Sequence, residues 1–220
     1  WAEALSNLTK ERAARVYGLI RFIIDTLLRL VLRREYIGVE NFPPPPYILV
    51  TNHLSVFDTP VLLTVCPHTI RAFAAVKHKR NPFFGPLLTV MGSIWVNRGE
   101  VDRQALRQAL DVLQRDEVLG IAPEGTRARG SYALQPGKTG AAYLASKADV
   151  PIVPVAITGT ENIKHNLPKL RRTPIRAVVG KPFRLSRNGR VRGQALHDCT
   201  DLIMHRIAEL LPAEYRGVYR

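Results

Sequence analysis

Cysteine is nearly absent: Cys66 and Cys199 are the only two in 220 residues, and they form no CxxC pair or Cys/His ligand spacing. A disulfide framework is thereby excluded, and two ordinary buried thiols in a reducing compartment are expected. No Gly-x-Ser-x-Gly stretch occurs, which argues against a hydrolase built on a nucleophile elbow. Acidic residues are scarce, 18 against 32 Lys and Arg, leaving a formal net charge of +14. The surface or substrate that the protein meets is therefore expected to be anionic: phospholipid, a phosphorylated molecule or nucleic acid. A clean apolar run long enough to cross a bilayer is also missing. The nearest, Val16 to Leu32, is interrupted by Arg21, Asp25 and Arg29, whose spacing of four puts them on one helical face. Charges near the centre of a span cost roughly 2.5 to 3.5 kcal/mol each. A helix lying in the interface keeps them in water while Leu19, Ile20, Phe22, Ile23, Leu27, Leu28 and Leu30 enter lipid. The alternative is a helix packed on the protein's own core, since surface helices carry the same stripe. The chain begins at Trp1 rather than at a methionine, so a longer natural N-terminus or a removed leader is allowed for.

What is present suits one α/β domain. A chain of this length can bury roughly 70% of its unfolded surface without staples. The four prolines Pro43 to Pro46 forbid helix and favour an extended connection. They suggest a division into an N-terminal membrane-interface helix, residues 1–34, and a larger α/β domain, residues 35–220. From Tyr47 onward, short β-branched apolar runs alternate with helix-like stretches, which predicts a central, mostly parallel sheet flanked by helices. Strands are expected at 47–51, 70–76, 93–97, 118–122, 152–158 and 175–179, and helices at 59–65, 102–115, 138–148 and 194–211. Ligands of such sheets gather beyond the carboxyl ends of the strands. Three strand ends there present His53, Arg98, Glu124 and Arg127.

His53 is followed five positions later by Asp58. A carboxylate that holds one imidazole nitrogen fixes tautomer and orientation, leaving the other nitrogen to take a proton from a hydroxyl nucleophile. The same spacing also fits a capping box over Ser55 to Asp58, in which Asp58 bonds the helix-start amides. Glu124-Gly125-Thr126-Arg127 combines a carboxylate, a conformationally permissive residue and a planar cation, and can cradle a phosphate or form an ordinary strand-end turn. Arg98 closes a third strand and, alone, reads equally as a solvated cation.

Together these motifs resemble a known family. Asn52-His53-Leu54-Ser55-Val56-Phe57-Asp58 is similar to the Asn-His plus Asp signature of the glycerolipid acyltransferases. Gly92 to Arg98 resembles the second motif of that family, Pro123 to Arg127 the third, and Val150-Pro151-Ile152-Val153-Pro154-Val155 the fourth, in family order. The resemblance implies acyl transfer from a thioester to the hydroxyl of lysophosphatidate (1-acylglycerol-3-phosphate) or a related glycerophospholipid precursor, giving phosphatidate. His53 would be the general base and Asp58 its orienting partner. Arg98, Glu124, Gly125, Thr126 and Arg127 would bind the acceptor, with Lys77 and Lys138 at recurrent basic positions. Acyl-CoA or acyl carrier protein is implied as co-substrate, and no metal or organic cofactor is expected. The place of action implied is the cytoplasmic face of a membrane, peripherally or monotopically, against anionic lipids. The residue before Pro123, usually a bulky aromatic in the family, is Ala122 here, which implies a roomier pocket.

Rival readings attach to other segments. Asn162 to His197 holds ten Lys or Arg and no acidic residue, but it lacks the aromatics of a stacking platform and any nucleic-acid motif, so no nucleic acid is expected as partner. Anionic headgroups account for such charge, each cation adding about 1 kcal/mol near an anionic leaflet. His197, Asp201 and His205 recur every four residues and could share a helical face, yet the same segment carries an apolar set that makes them a flank. Acyl transfer to another lipid or to an amine acceptor, and a basic lipid- or nucleic-acid-binding protein without catalysis, are the remaining alternatives.

Overall fold

The structure is a computed structural model that describes residues 2–82, 84–97, 102–128, 130, 132–185 and 191–220, with side chains from residue 14 onward. The elements run α1 (Ala2–Val31), β1 (Leu32–Ile37), β2 (Tyr47–Thr51), α2 (Asp58–Val65), β3 (Ile70–Ala75), α3 (Phe84–Val90) and β4 (Ile94–Val96). They continue with α4 (Arg103–Gln114), β5 (Val118–Ile121), α5 (Gly140–Ala148), β6 (Ile152–Thr158), α6 (Ile163–Asn166), β7 (Thr173–Val179) and α7 (Gln194–Ala208). The strands make one sheet in the order β1-β7-β6-β2-β5-β3-β4. Neighbours are parallel except for the antiparallel β6–β7 pair, so the α/β architecture with a mostly parallel sheet holds.

The centre of the sheet follows from sequence. Tyr47 to Thr51 is buried at every position, and so is β6 as far as Ile157, as expected of strands covered on both faces. The period of two divides β2 between two cores. Ile48 and Val50 face α4, α5 and α7, while Tyr47 and Leu49 face α1, α2 and α3. Cys66 is a buried free thiol with Sγ 3.1 Å from Tyr47 Oη.

The N-terminal segment differs most from the reading above. The 34/35 boundary falls inside β1, which pairs in parallel with β7 from Leu32↔Thr173 to Ile37↔Val178. Three consecutive charged residues, Arg33 to Glu35, hide this strand from pattern reading, and they are tolerated because β1 is an edge. The helix before it is joined to the core: Tyr17 and Leu28 are buried, and Ile20, Ile24 and Val31 pack beside them. Ile20 and Leu28 are therefore not lipid-facing residues. The opposite face remains apolar and open, with Leu19, Phe22 and Leu30 between 59 and 68% exposed and Val16, Ile23 and Leu27 beside them. Between the faces, Asp25 bonds Arg29 at 2.7 Å and Arg34 at 2.5 Å, while Arg21 reaches the Pro67 carbonyl. The helix thus packs one apolar face on the core and leaves the other open. No described helix is long and apolar enough to cross a membrane.

Several cations of the basic stretch have structural partners. Arg172 donates to the carbonyls of Arg29 and Leu32 at the end of α1, where a cation complements the helix dipole. Arg176 pairs with Glu35 and Arg184 with Asp149. The short helices α3 and α6 were not legible as periodic segments, and β7 starts two residues earlier than expected.

Candidate functional site

Strand β2 ends at Thr51, and the chain must then turn out of the sheet. Asn52 makes that turn rigid: its Nδ2 donates to the Ile157 carbonyl and its Oδ1 accepts from the Ile157 amide, both at 2.8 Å. A side chain thereby extends the β2–β6 ladder by one rung, and it satisfies two backbone groups that would otherwise be buried unpaired. His53 follows immediately. Its amide donates to Glu124 Oε1 at 2.9 Å and its carbonyl accepts from the Ala128 amide at 2.8 Å.

The imidazole Nδ1 lies 2.7 Å from Asp58 Oδ2. An ionised carboxylate can only accept, so Nδ1 carries the proton and Nε2 is left with its lone pair. The same Oδ2 accepts from the amides of Leu54 and Ser55, at 2.7 and 2.8 Å. Asp58 Oδ1 takes a short 2.5 Å bond from the hydroxyl of Thr160, itself fully buried. Four donors thus compensate a carboxylate that is only 2% exposed, against 19% for the His53 side chain, the condition under which a buried charge is tolerated. The bond from the Ser55 amide is the reciprocal contact of the expected capping box, and Ser55 Oγ accepts from the Phe57 amide at 3.0 Å, so Asp58 closes the start of α2 and holds His53 with the same oxygen.

Glu124 is also buried. Both its oxygens are occupied by backbone amides, Oε1 by His53 and Oε2 by Gln135 at 3.0 Å. Burial raises its pKa above that of an ordinary glutamate, and the two amides partly offset the shift. A raised folded-state value means that the folded protein holds this proton more tightly than the unfolded chain does. The stabilisation is therefore complete below the unfolded value, about 4.3, and is lost as pH rises through the folded one. Glu124→Gln cannot accept at both ends, since its NH2 group would face an N–H, and a buried donor left unpaired costs about 1–3 kcal/mol. We expect a melting temperature lower by about 2–10 °C, without the pH slope of the unsubstituted protein, and turnover down at least tenfold as the His53 loop loosens. Thermal unfolding followed across pH, alongside initial rates, checks both.

Gly125 adopts a left-handed backbone, φ +68°, and a Cβ there would stand 2.9 to 3.1 Å from the Lys138 side chain. The absence of a side chain lets Lys138 fold over this turn, with its amide donating to the Pro123 carbonyl at 2.8 Å. His53, Gly125, Arg127 and Lys138 line one cavity of about 1590 Å³. Its walls are largely apolar, with Leu62, Leu63, Leu87 and Met91 on the α2–α3 face of the sheet and Leu106 and Leu110 on the α4 face. A histidine held by a buried carboxylate, in the wall of a largely apolar cavity that two cations also line, suits an amphiphile that carries an anionic group.

A family model described as Acyltransferase matches residues 33–158, a range that contains every element of this web except the Thr160 hydroxyl. The chain belongs to the acyltransferase family. Among its relatives is the 1-acyl-sn-glycerol-3-phosphate acyltransferase of Salmonella typhimurium, 36% identical over 186 residues, which are 80% of this chain and 72% of that protein. The protein of the same name from Saccharomyces cerevisiae is 31% identical over 140 residues, 62% of this chain but 46% of that one. The chain thus spans about half the length of the yeast relative. The crystal structure of the 1-acyl-sn-glycerophosphate acyltransferase PlsC from Thermotoga maritima superposes with a TM-score of 0.70 at 23% identity, over 92% of this chain and 82% of that one. The fold is shared with it.

Of the acyltransferase residues singled out from sequence, the fold gathers His53, Asp58, Gly125, Arg127 and Lys138 at the ends of β2 and β5. Ala122, where the family usually has an aromatic, lines the same cavity. Glu124 lies beneath the wall as a strut rather than in it, Thr126 is exposed, and Lys77 stands outside the cavity lining on the turn after β3. Arg98 lies outside the described residues. Asn52 and Thr160 carry structural roles at the site that sequence reasoning did not assign. Asn52 stood inside a recognised motif, whereas Thr160 comes after the fourth motif and is 102 positions from Asp58, with no local signal. On α7, His197 lines the cavity while His205 stacks edge-on against Tyr219, ring centroids 5.2 Å apart. No group of three or more His, Cys, Asp or Glu that could hold a metal ion occurs among the described residues.

Proposed function

We infer that the protein transfers an acyl chain from a thioester to the free hydroxyl of 1-acylglycerol-3-phosphate, or of a closely related glycerophospholipid precursor, giving phosphatidate. The observation that carries this reading is the Asp58-held His53 opening onto an apolar cavity beside Arg127 and Lys138. His53 Nε2 takes the hydroxyl proton, and the oxygen attacks the thioester carbonyl to give a tetrahedral oxyanion. Collapse breaks the carbon–sulfur bond, and the proton on Nε2 passes to the departing thiolate. Asp58 keeps the imidazole in the required tautomer and stabilises the imidazolium. Arg127 offers a planar fork and Lys138 a point charge to the acceptor phosphate. No metal or organic cofactor takes part in these steps. The apolar lobe beneath α2 and α3 takes an acyl chain, and Ala122 leaves room beside it.

The open apolar face of α1 supports membrane docking, with the acceptor drawn from the lipid phase. Burying one such side chain contributes roughly 1.5–3 kcal/mol, so Leu19→Asp with Phe22→Asp is expected to reduce binding to anionic vesicles at least tenfold. Co-sedimentation measures it, and circular dichroism should be unchanged because neither residue touches the core. Acyl transfer itself is tested with lysophosphatidate presented in vesicles and labelled acyl-CoA or acyl-carrier-protein thioester. Phosphatidate is the expected product, and its absence with both donors would sink the reading.

A further inference from the structure

The side chains that line the cavity with His53 fall into two groups, one on each face of the sheet, which are its two lobes. The lobe already described lies under α2 and α3 and borders α1 through Ile24, so it faces the apolar side of the molecule. The other runs between α4, α5 and α7 and differs in chemistry. On α4, Arg103, Leu106, Arg107 and Leu110 line it, positions i, i+3, i+4 and i+7 of one helical face. On α5, Tyr143 and Lys147 line it one turn apart, with the Lys147 ammonium 5.7 Å from the ring centroid. The floor is therefore apolar, with leucines and an aromatic, while the exposed rim carries Arg103, Arg107 and Lys147. Among the described residues of this wall the carboxylate is that of Asp102, which is occupied in capping α4, accepting from the amides of Gln104 and Ala105.

We propose that this second lobe admits the 4′-phosphopantetheine arm of the thioester donor, with Arg107 and Lys147 receiving its phosphate. This rests on the acyl-transfer reading and adds to it where the donor enters. The arm is a narrow amphipathic chain, a thiol at one end and a phosphate at the other, and matches a groove with an apolar floor and a cationic rim. Two lobes also give the reaction two approaches to one carbonyl: the hydroxyl from the lipid side, the leaving sulfur toward α4. Coenzyme A and holo-acyl carrier protein both carry this arm.

The test is binding without turnover. Isothermal titration of the whole protein with free coenzyme A, with holo-acyl carrier protein and with its apo form separates the two sources. The unsubstituted protein is expected to bind coenzyme A, or to bind holo over apo carrier protein. Arg107→Glu with Lys147→Glu should weaken that binding at least tenfold, and Leu110→Trp, which fills the floor without changing charge, should weaken it similarly at high salt. Binding of lysophosphatidate vesicles should stay within twofold in both variants. Undiminished donor binding in either variant, or no donor binding by the unsubstituted protein, would overturn the proposal. Donor binding without acyl transfer would instead refute the functional reading while leaving this groove in place.

Discussion

His53→Ala is expected to lower turnover by at least about 10³-fold, within the usual span of a general base's contribution, while the fold persists. The imidazole is partly exposed at the cavity wall, and the contacts that hold this loop, from Asn52, Glu124 and Ala128, run through backbone groups or neighbouring side chains. Removing the ring leaves those intact. Melting temperature should fall by no more than about 4 °C, the equivalent of roughly 1 kcal/mol in a chain of this size. Vesicle binding should be unchanged. Steady-state rates with purified protein decide the matter, and turnover within tenfold of the unsubstituted enzyme would remove His53 from the mechanism.

Asp58 offers a second large effect, and a pair of substitutions separates chemistry from architecture. In Asp58→Ala the amides of Leu54 and Ser55, the Thr160 hydroxyl and the His53 ring all lose their acceptor. Buried donors left unpaired cost about 1–3 kcal/mol each, so this variant should unfold at a temperature at least 10 °C lower or fail to accumulate. Asp58→Asn keeps the shape. Its carbonyl can still accept from the two amides, and its NH2 can donate to Thr160, whose hydroxyl can rotate to accept. What disappears is the negative charge beside the imidazole, and with it the stabilisation of the imidazolium. Turnover should fall about 10⁴-fold with a melting temperature within a few degrees of normal, an effect of the size that follows loss of the orienting carboxylate in a serine protease triad. If Asp58→Asn turned over normally, the carboxylate would be only a strut for the loop.

The web around Asp58 also explains why the family signature is longer than its reactive pair. Asn52 aligns the end of β2 against β6, Glu124 ties the His53 amide to the turn after β5, and Thr160 closes the far side of the carboxylate. Held in this way, the imidazole and its carboxylate need no further ordering when a ligand arrives.

Much of this was open to reading from residues alone. Short continuous apolar runs marked β2, β5 and β6, and turn chemistry placed His53 and the Glu124 to Arg127 turn at strand ends, because a parallel sheet covered on both faces needs such runs and must end them in polar loops. The order of four motifs pointed to the acyltransferase family. Local pattern was misleading where long-range pairing overrode it: β1 exists because β7 offers an edge, despite Arg33, Arg34 and Glu35, and α1 turns Tyr17 and Leu28 inward while leaving Leu19 and Phe22 outside. The residues by themselves placed a His and an Asp five positions apart after a strand, a spacing open to a helix cap as well as to catalysis, with cations in the accompanying motifs. Only the tertiary structure decided that Asp58 holds His53 as well as the amides that open α2, that Glu124 bears on the backbone, and that Thr160 completes the carboxylate's partners. The Glu124–His53 and Thr160–Asp58 contacts join positions 71 and 102 residues apart, and a hydrogen bond between such positions leaves no trace in local spacing.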